Sequence, residues 1–233
     1  MTSGQAAMNP QAHWEGVYRT RDEAQLSWHQ DEPATSLRLI QQYAGPSDSI
    51  IDVGGGSSLL AGRLVALGFA RVTVIDIAPA AIERAKQRSG AASADIDWLV
   101  GDVTDMPVIE PVELWHDRAV FHFLTQPAQR AKYVEALRGA LRPGGHVIIA
   151  AFGMAGPEQC SGLPVVRYDA ASLARELGPE FTLIESLDEQ HVTPWGKTQA
   201  FMYAVLRRAD TISPGVQTGT GTHGEHPNES RDG

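Results

Sequence analysis

Two acids close two apolar runs, each at a point where a strand turning into a helix would bring a carboxylate to bear on a ligand. The first is Asp52, in Ile50-Ile51-Asp52-Val53-Gly54-Gly55-Gly56-Ser57-Ser58-Leu59. The second is Asp76, at the end of Val72-Thr73-Val74-Ile75-Asp76, twenty residues after Gly56. An acid at the tip of a second strand can take both hydroxyls of a ribose as a bidentate acceptor. Glycines after the first strand let main chain approach a ligand closely. Together they imply a nucleoside-containing cofactor lying across the carboxyl ends of a parallel sheet.

A dinucleotide loop, G-x-G-x-x-G, would need a glycine where Leu59 stands. Instead Asp52 lies two residues before Gly54, as D-x-G-x-G. A carboxylate there repels a pyrophosphate and suits a cationic amino-acid group. Farther along come Asp76-Ile77, then Gly101-Asp102-Val103, then Leu141-Arg142-Pro143-Gly144-Gly145 running into an apolar stretch that ends at Phe152. In this order and spacing the motifs resemble those of the class I S-adenosylmethionine methyltransferases, over roughly residues 12–208.

That resemblance implies an α/β, Rossmann-like fold: a seven-stranded, mostly parallel sheet with helices on both faces and an antiparallel final strand. It implies S-adenosylmethionine as cofactor and S-adenosylhomocysteine as its product. The cofactor residues it implies are Asp52, Gly54, Gly55, Gly56, Ser58, Asp76, Ile77, Gly101, Asp102 and Val103, with Asp117 at the fourth strand. Asp76 would hold the ribose and Asp102 would receive the adenine amino group. Ser58 replaces the family's third glycine, and its hydroxyl can cap the next helix or reach the cofactor. An N-terminal segment commonly closes over the cofactor in this family. Tyr18 and Trp28 are then lid residues, able to exclude water and to meet a sulfonium by cation–π attraction.

Methyl transfer from a sulfonium is an in-line displacement with a good leaving group, so the protein chiefly positions the acceptor and deals with its proton. Residues 114–124 offer His116, Asp117, Arg118 and His122 as catalytic candidates. His122 suits a core histidine equally well. Cys160, in the irregular stretch after the fifth strand, is either a soft ligand or a small apolar filler. His191 and Gln199 belong to the last hairpin, facing the same mouth or forming a polar turn. Scattered histidines without an H-x-x-x-H pair imply no metal site.

The chain lacks the large inserted domain of many small-molecule methyltransferases, which points to a compact acceptor such as a thiol or sulfide, reactive as its anion. The strings W-H-D-R-A-V-F-H-F-L, C-S-G-L-P-V-V-R-Y and H-V-T-P-W-G resemble a small bacterial subgroup. It is distantly similar to the eukaryotic lysine methyltransferases that modify citrate synthase and elongation factor 1A. Those carry Asp-Lys-Gly-Thr where Asp117-Arg118-Ala119-Val120 stands here, so the surroundings of the acceptor differ. A protein lysine N-methyltransferase and a non-catalytic S-adenosylmethionine-binding protein are the alternatives to a small-molecule enzyme.

The elements that must position these residues alternate. Strands are expected at 50–53, 71–75, near 97–100, near 113–117 and at 145–152, with helices at 57–67, 78–88 and 127–140. This rhythm predicts a parallel sheet covered on both faces. Residues 181–189 and 198–207 read as two antiparallel strands at the end. The divisions expected are an N-terminal helical lid segment over 1–45, a cofactor-binding domain over 46–208 and a disordered tail over 209–233, where His223 and His226 are too sparse for a metal site. With 233 residues, 42% of them hydrophobic, one core is affordable.

A formal charge of −9 with no dense basic cluster argues against a nucleic-acid partner. No apolar run approaches the ~18 residues of a membrane span, and residues 1–11 do not read as a signal peptide. The single cysteine excludes an intrachain disulfide and fits a reducing compartment, so a cytoplasmic location is expected. A small-molecule acceptor is the expected partner, a protein substrate the other; monomer and dimer are both open.

Overall fold

Ile50, Ile51 and Val53 are all buried, as a strand enclosed on both faces requires. They form β1 (Ser49–Val53) near the middle of a seven-stranded sheet. The structure is a computed structural model and describes residues 9–210. β1 pairs in parallel with β2 (Arg71–Asp76) on one side and β4 (Val112–Arg118) on the other. β3 (Ile96–Val100) adds to β2, and β5 (Leu141–Phe152) adds to β4, both in parallel. A two-strand flap, β6 (Gln159–Cys160) and β7 (Leu163–Pro164), follows β5. The sheet ends with β8 (Phe181–Val192) at the edge and β9 (Thr198–Arg208) between β8 and β5. β9 is antiparallel to both neighbours, so it alone runs against the sheet.

Helices cover both faces. On one face α2 (Ala34–Tyr43), α3 (Leu60–Ala66) and α4 (Pro79–Ser89) set Leu39, Ile40, Leu64 and Ile82 against Ile50, Val72 and Leu114. On the other, α5 (Pro127–Ala140) and α6 (Ala170–Leu177) set Tyr133, Leu137 and Leu173 against Ile51, Trp115 and Ile149. An earlier helix, α1 (Pro10–Thr20), is capped by Asn9, whose side chain accepts from Ala12 N at 3.2 Å, and begins on a proline that already lacks the donor a first turn wastes. Its Val17 and Tyr18 pack on Ala78 and Ala81 at the start of α4.

Three element boundaries differ from the expectation by three residues or more, β8 running on to Val192 where 189 was expected. The helix expected from residue 57 begins at Leu60. Gly54 and Gly56 take left-handed φ values of 64° and 54°, and the chain turns through 57–59 before helical geometry starts. Ser58 Oγ accepts from Leu60 N at 3.1 Å, so the serine caps from one residue outside the helix. β5 begins at Leu141 rather than 145. Leu141 pairs with Val112 and His146 with Leu114, so the residues between, which read as a plain turn, bulge out of a continuous strand. Among the described residues no helix is long and apolar enough to cross a membrane. The expected tail from 211 onward, with His223 and His226, lies outside the described residues.

Candidate active site

A cavity of about 230 Å³ opens at the carboxyl ends of the parallel strands, the place where open α/β sheets take their ligands. One end is made of strand tips. Val53 and Gly54 come from β1, Asp76 and Ile77 from the end of β2, and Gly101, Asp102 and Val103 follow β3. Asp76 Oδ1 accepts from Ala78 N at 2.9 Å. Burial pushes this carboxyl up to about 7, against hydrogen bonds from the Ala78 and Gly56 main chain that favour its charged form. Asp102 Oδ1 accepts from both Thr104 N and Thr104 Oγ1 at 2.8 Å, which fixes the carboxylate at the cavity wall.

The opposite end is aromatic. Trp14 and Tyr18 lie one helical turn apart on α1 and, with Trp28 and Phe123, wall the cavity. Trp14 meets Trp28 and Phe123 edge-on at 5.6 and 5.0 Å between ring centres. Cys160 and Leu163 of the β6–β7 flap and Ala119 and Val120 after β4 complete this end. Ala119 holds φ at 74°, a conformation that costs a non-glycine residue about 1–3 kcal/mol and persists only where its surroundings over-determine it.

A smaller cavity of about 50 Å³ adjoins the glycine loop, lined by Asp52, Gly54, Gly55, Ser58, His116 and Arg118 among others. Only glycine fits at 54: a Cβ there would run into Val120 Cγ2. Behind this loop runs a buried chain of polar contacts. His116 is the register partner of Asp52 across β1 and β4. Its Nδ1 lies 2.7 Å from Asp52 Oδ1 and its Nε2 2.9 Å from Ser36 Oγ. Ser36 Oγ lies 3.4 Å from Tyr203 Oη, which in turn accepts from Arg118 Nε at 3.2 Å. Arg118 also donates to the Trp28 carbonyl at 3.0 Å, pairs with Glu189 at 3.7 Å and lies 4.5 Å from the centre of the Phe201 ring. It is the charged residue common to both cavities.

The residues singled out from sequence therefore separate. Tyr18, Trp28, Gly54, Asp76, Ile77, Gly101, Asp102, Val103, Arg118 and Cys160 line the larger cavity, and Asp52, Gly55, Ser58 and His116 the smaller one. Gly56 lines neither but leaves room for the Tyr18 hydroxyl.

Asp117 also lines neither. Strand alternation turns it to the α5 face, where it accepts from Val120 N at 2.9 Å, Phe121 N at 3.1 Å and Tyr133 Oη at 2.7 Å. Burial raises its carboxyl to about 6, against those three bonds. It shapes the turn after β4 and lines neither cavity, although the sequence resemblance put it at the cofactor.

The base roles expected of the histidines have no geometric support. His116 spends both ring nitrogens on Asp52 and Ser36. His122 is buried beside Phe123 and Phe152, and its Nδ1 accepts from Phe152 N at 3.2 Å. Burial drives it down to about 3, the signature of the core histidine that the sequence also allowed. His191 lines neither cavity; its Nε2 meets the Ser27 carbonyl at 2.6 Å. Gln199, its register partner, is likewise buried away from both cavities.

Cys160 does face the cavity, with burial pushing its thiol up. Sequence reading missed Trp14, although its spacing from Tyr18 places both on one helical face. It missed Ser36 and Tyr203 because nothing local marks them. Among the described residues, no group of three or more His, Cys, Asp or Glu side chains is arranged to hold a metal ion.

Strand order, reversed last strand and an acid-tipped cavity above the glycine loop define the class I methyltransferase architecture. Residues 50–145 match the methyltransferase domain family. Over those residues the chain carries a Rossmann-like, S-adenosylmethionine-dependent methyltransferase domain.

It is 33% identical over 116 residues to the malonyl-[acyl-carrier protein] O-methyltransferase of Anoxybacillus flavithermus, a stretch covering 49% of this chain and 43% of that one. The fold is similar to that of the N-methyltransferase NodS of Bradyrhizobium japonicum, solved with S-adenosylhomocysteine, at a TM-score of 0.62 and 19% identity over 84% of this chain and 98% of the other. It is also similar, at a TM-score of 0.71 and 21% identity over 88% and 95% of the two chains, to a structure solved for the conversion of a disulfide bond into a thioacetal group during echinomycin biosynthesis. The chain spans about half the length of the curated relatives it matches, 43%, 42% and 50% for three of them.

Proposed function

We propose that this protein transfers a methyl group from S-adenosylmethionine to a small-molecule acceptor, with a thiol or sulfide as the favoured acceptor. One observation carries the reading. A single cavity joins an end bearing two carboxylates, Asp76 and Asp102, to an aromatic and aliphatic end under α1 and the β6–β7 flap. The residues fit the cofactor. Asp76 would hold the ribose hydroxyls and Asp102 the adenine amino group. Ile77 and Val103 would line the space for the base, and the glycine loop with Asp52 behind it would receive the amino-acid end. Bound there, S-adenosylmethionine supplies an electrophilic methyl group on a good leaving group.

The chain's own residues then orient and shield. Tyr18, Trp28 and Trp14 exclude water and offer ring faces to a cationic sulfur. The N-terminal segment, over the described residues 9–45, acts as the lid. Arg118 and Cys160 bound the space left for the acceptor. A sulfur acceptor is supported by the soft, apolar character of that space and by the echinomycin-related neighbour, whose chemistry is at sulfur.

The test is purified protein with methyl-labelled S-adenosylmethionine and a desalted cell extract, supplemented with simple thiols. Label recovered in volatile or small products is the expected result. Label in a discrete protein band would replace this reading with lysine methylation. Tight cofactor binding with no transfer to any fraction would make the protein a cofactor-binding module and not a catalyst.

A further inference from the structure

Among the described residues, the acceptor end of the cavity holds no group free to take a proton. Its lining there includes Trp14, Trp28, Ala119, Val120, Phe123 and Leu163, with the thiol of Cys160. The carboxylates of the cavity, Asp76 and Asp102, belong to the nucleoside end. Tyr18 and Cys160 stay protonated, because burial pushes both groups up.

The nearby histidines are committed elsewhere. His116 is engaged at both nitrogens, and His29, at the smaller cavity, points its Nε2 to Asp31 at 3.2 Å. His122 uses Nδ1 to accept from the main chain, so its Nε2 carries the hydrogen of a neutral ring. His191 is bound to the Ser27 carbonyl. What faces this space with a charge is Arg118. Its Nη2 is buried without a hydrogen-bond partner, with Glu189 of β8 at ion-pair distance and Tyr203 of β9 on Nε.

We propose that the acceptor enters already deprotonated, as an anion, and that Arg118 selects it against cationic acceptors. The inference rests on the methyl-transfer reading above and narrows its substrate class. The acceptor's electron pair forms a bond to the methyl carbon while that carbon's bond to the sulfonium sulfur breaks, the bonding pair staying on sulfur. An anion and a cation become two neutral centres, and no proton moves within the cavity. Thiolates, hydrosulfide and carboxylates share this chemistry. An ammonium does not, since it has no free electron pair until it sheds a proton, and among the described residues nothing here accepts one.

The experiment measures initial rates of the full chain at saturating S-adenosylmethionine across pH. The acceptors are a series of substituted benzenethiols of graded acidity, hydrosulfide, octanoate and benzylamine. The midpoint of kcat/KM is expected to move with each thiol's own acidity, unit for unit. Octanoate would be flat above about pH 6, and benzylamine slower by at least about a hundredfold. Turnover of octanoate without thiols would make the source a carboxylate; the converse would make it sulfur. A midpoint common to all thiols, or equal turnover of benzylamine, would overturn the inference.

A binding readout stands beside the rates. Tryptophan fluorescence, to which Trp14 and Trp28 contribute, reports binding of benzenesulfonate and benzylammonium to the protein loaded with S-adenosylhomocysteine. Arg118→Met should weaken the sulfonate about tenfold, and Arg118→Lys should restore much of it. Equal losses for both ligands would reduce Arg118 to a scaffold residue and overturn its selective role. Cofactor binding with transfer to protein amines alone would sink the anion inference and leave methyl transfer standing, whereas failure to bind the cofactor would remove the reading beneath both.

Discussion

The two ends of the cavity are built by different means. At the end proposed for the nucleoside each wall residue sits at or just past the tip of its own strand, and most of the bonds that orient it come from residues close in sequence: Asp76 to Ala78 N, with the Gly56 main chain beside it, and Asp102 to Thr104. At the glycine-loop and acceptor end, orientation depends on partners far apart in the chain. Asp52 meets His116, His116 meets Ser36, and Arg118 reaches Tyr203 and Trp28. Local bonds make the first end less dependent on distant partners, although Tyr18 of α1 packs beside it at the start of α4, while the second depends on every layer being in place.

The sharpest challenge to this division is Asp117→Ala. It strands Val120 N, Phe121 N and the Tyr133 hydroxyl in a buried site, and should cost about 2–4 kcal/mol of stability in urea denaturation. Cofactor affinity, measured at a pH and temperature where the variant is folded, should change little. If it fell as far as in an Asp76 variant, Asp117 would belong to the cofactor site after all.

Next in size, Asp76→Ala should weaken S-adenosylhomocysteine binding by about a hundredfold in calorimetry, through loss of charge-assisted bonds to the ribose, with thermal stability kept or raised.

The same residue sets a pH dependence. Its carboxyl is raised from an ordinary 3.8 to about 7, so the folded protein without cofactor holds a proton that the unfolded chain has released. This group therefore favours folding at low pH and costs stability as pH rises from near 4 toward 7. With Asp76 on the ribose as proposed, cofactor affinity has the opposite sign, because two hydroxyl donors favour the charged form. Affinity should fall below about pH 7 with a limiting slope of about tenfold per unit, and Asp76→Asn should flatten that slope.

The smallest effect belongs to the buried polar chain. Ser36→Ala removes one acceptor and donor between His116 and Tyr203 and should cost about 1 kcal/mol. It should leave the affinity for adenosine unchanged while weakening that for S-adenosylhomocysteine, whose amino-acid end is proposed to lie over this chain. Equal weakening of both would erase the distinction between the two ends.

The strand-tip end of the cavity, proposed for the nucleoside, was legible in the sequence because its signals are local. An apolar run, an acid and a glycine or small turn are contiguous signals, and their order along the chain is their order across the sheet from β1 outward. Asp117 was misplaced although strand alternation in Val112–Arg118 already separates it from His116 and Arg118. Its acidity beside two histidines drew attention to chemistry ahead of parity. The partnership of Asp52 with His116 was out of reach, because it depends on which strands are neighbours and in what register. Helix α3 and strand β5 were misjudged at their starts by the same kind of cause, a left-handed glycine loop in one case and a bulge in the other.

The segment between α1 and α2 is held over the cavity partly by two main-chain latches, Arg118 to the Trp28 carbonyl and His191 to the Ser27 carbonyl. A latch that grips a carbonyl is indifferent to the side chain carried by the same residue. Positions 27 and 28 can therefore be exchanged without releasing the clasp, and Trp28 with its neighbours Trp14 and Phe123 becomes a replaceable panel. Varying those three while keeping Arg118 and His191 is the natural route to a redesigned enzyme that accepts bulkier substrates.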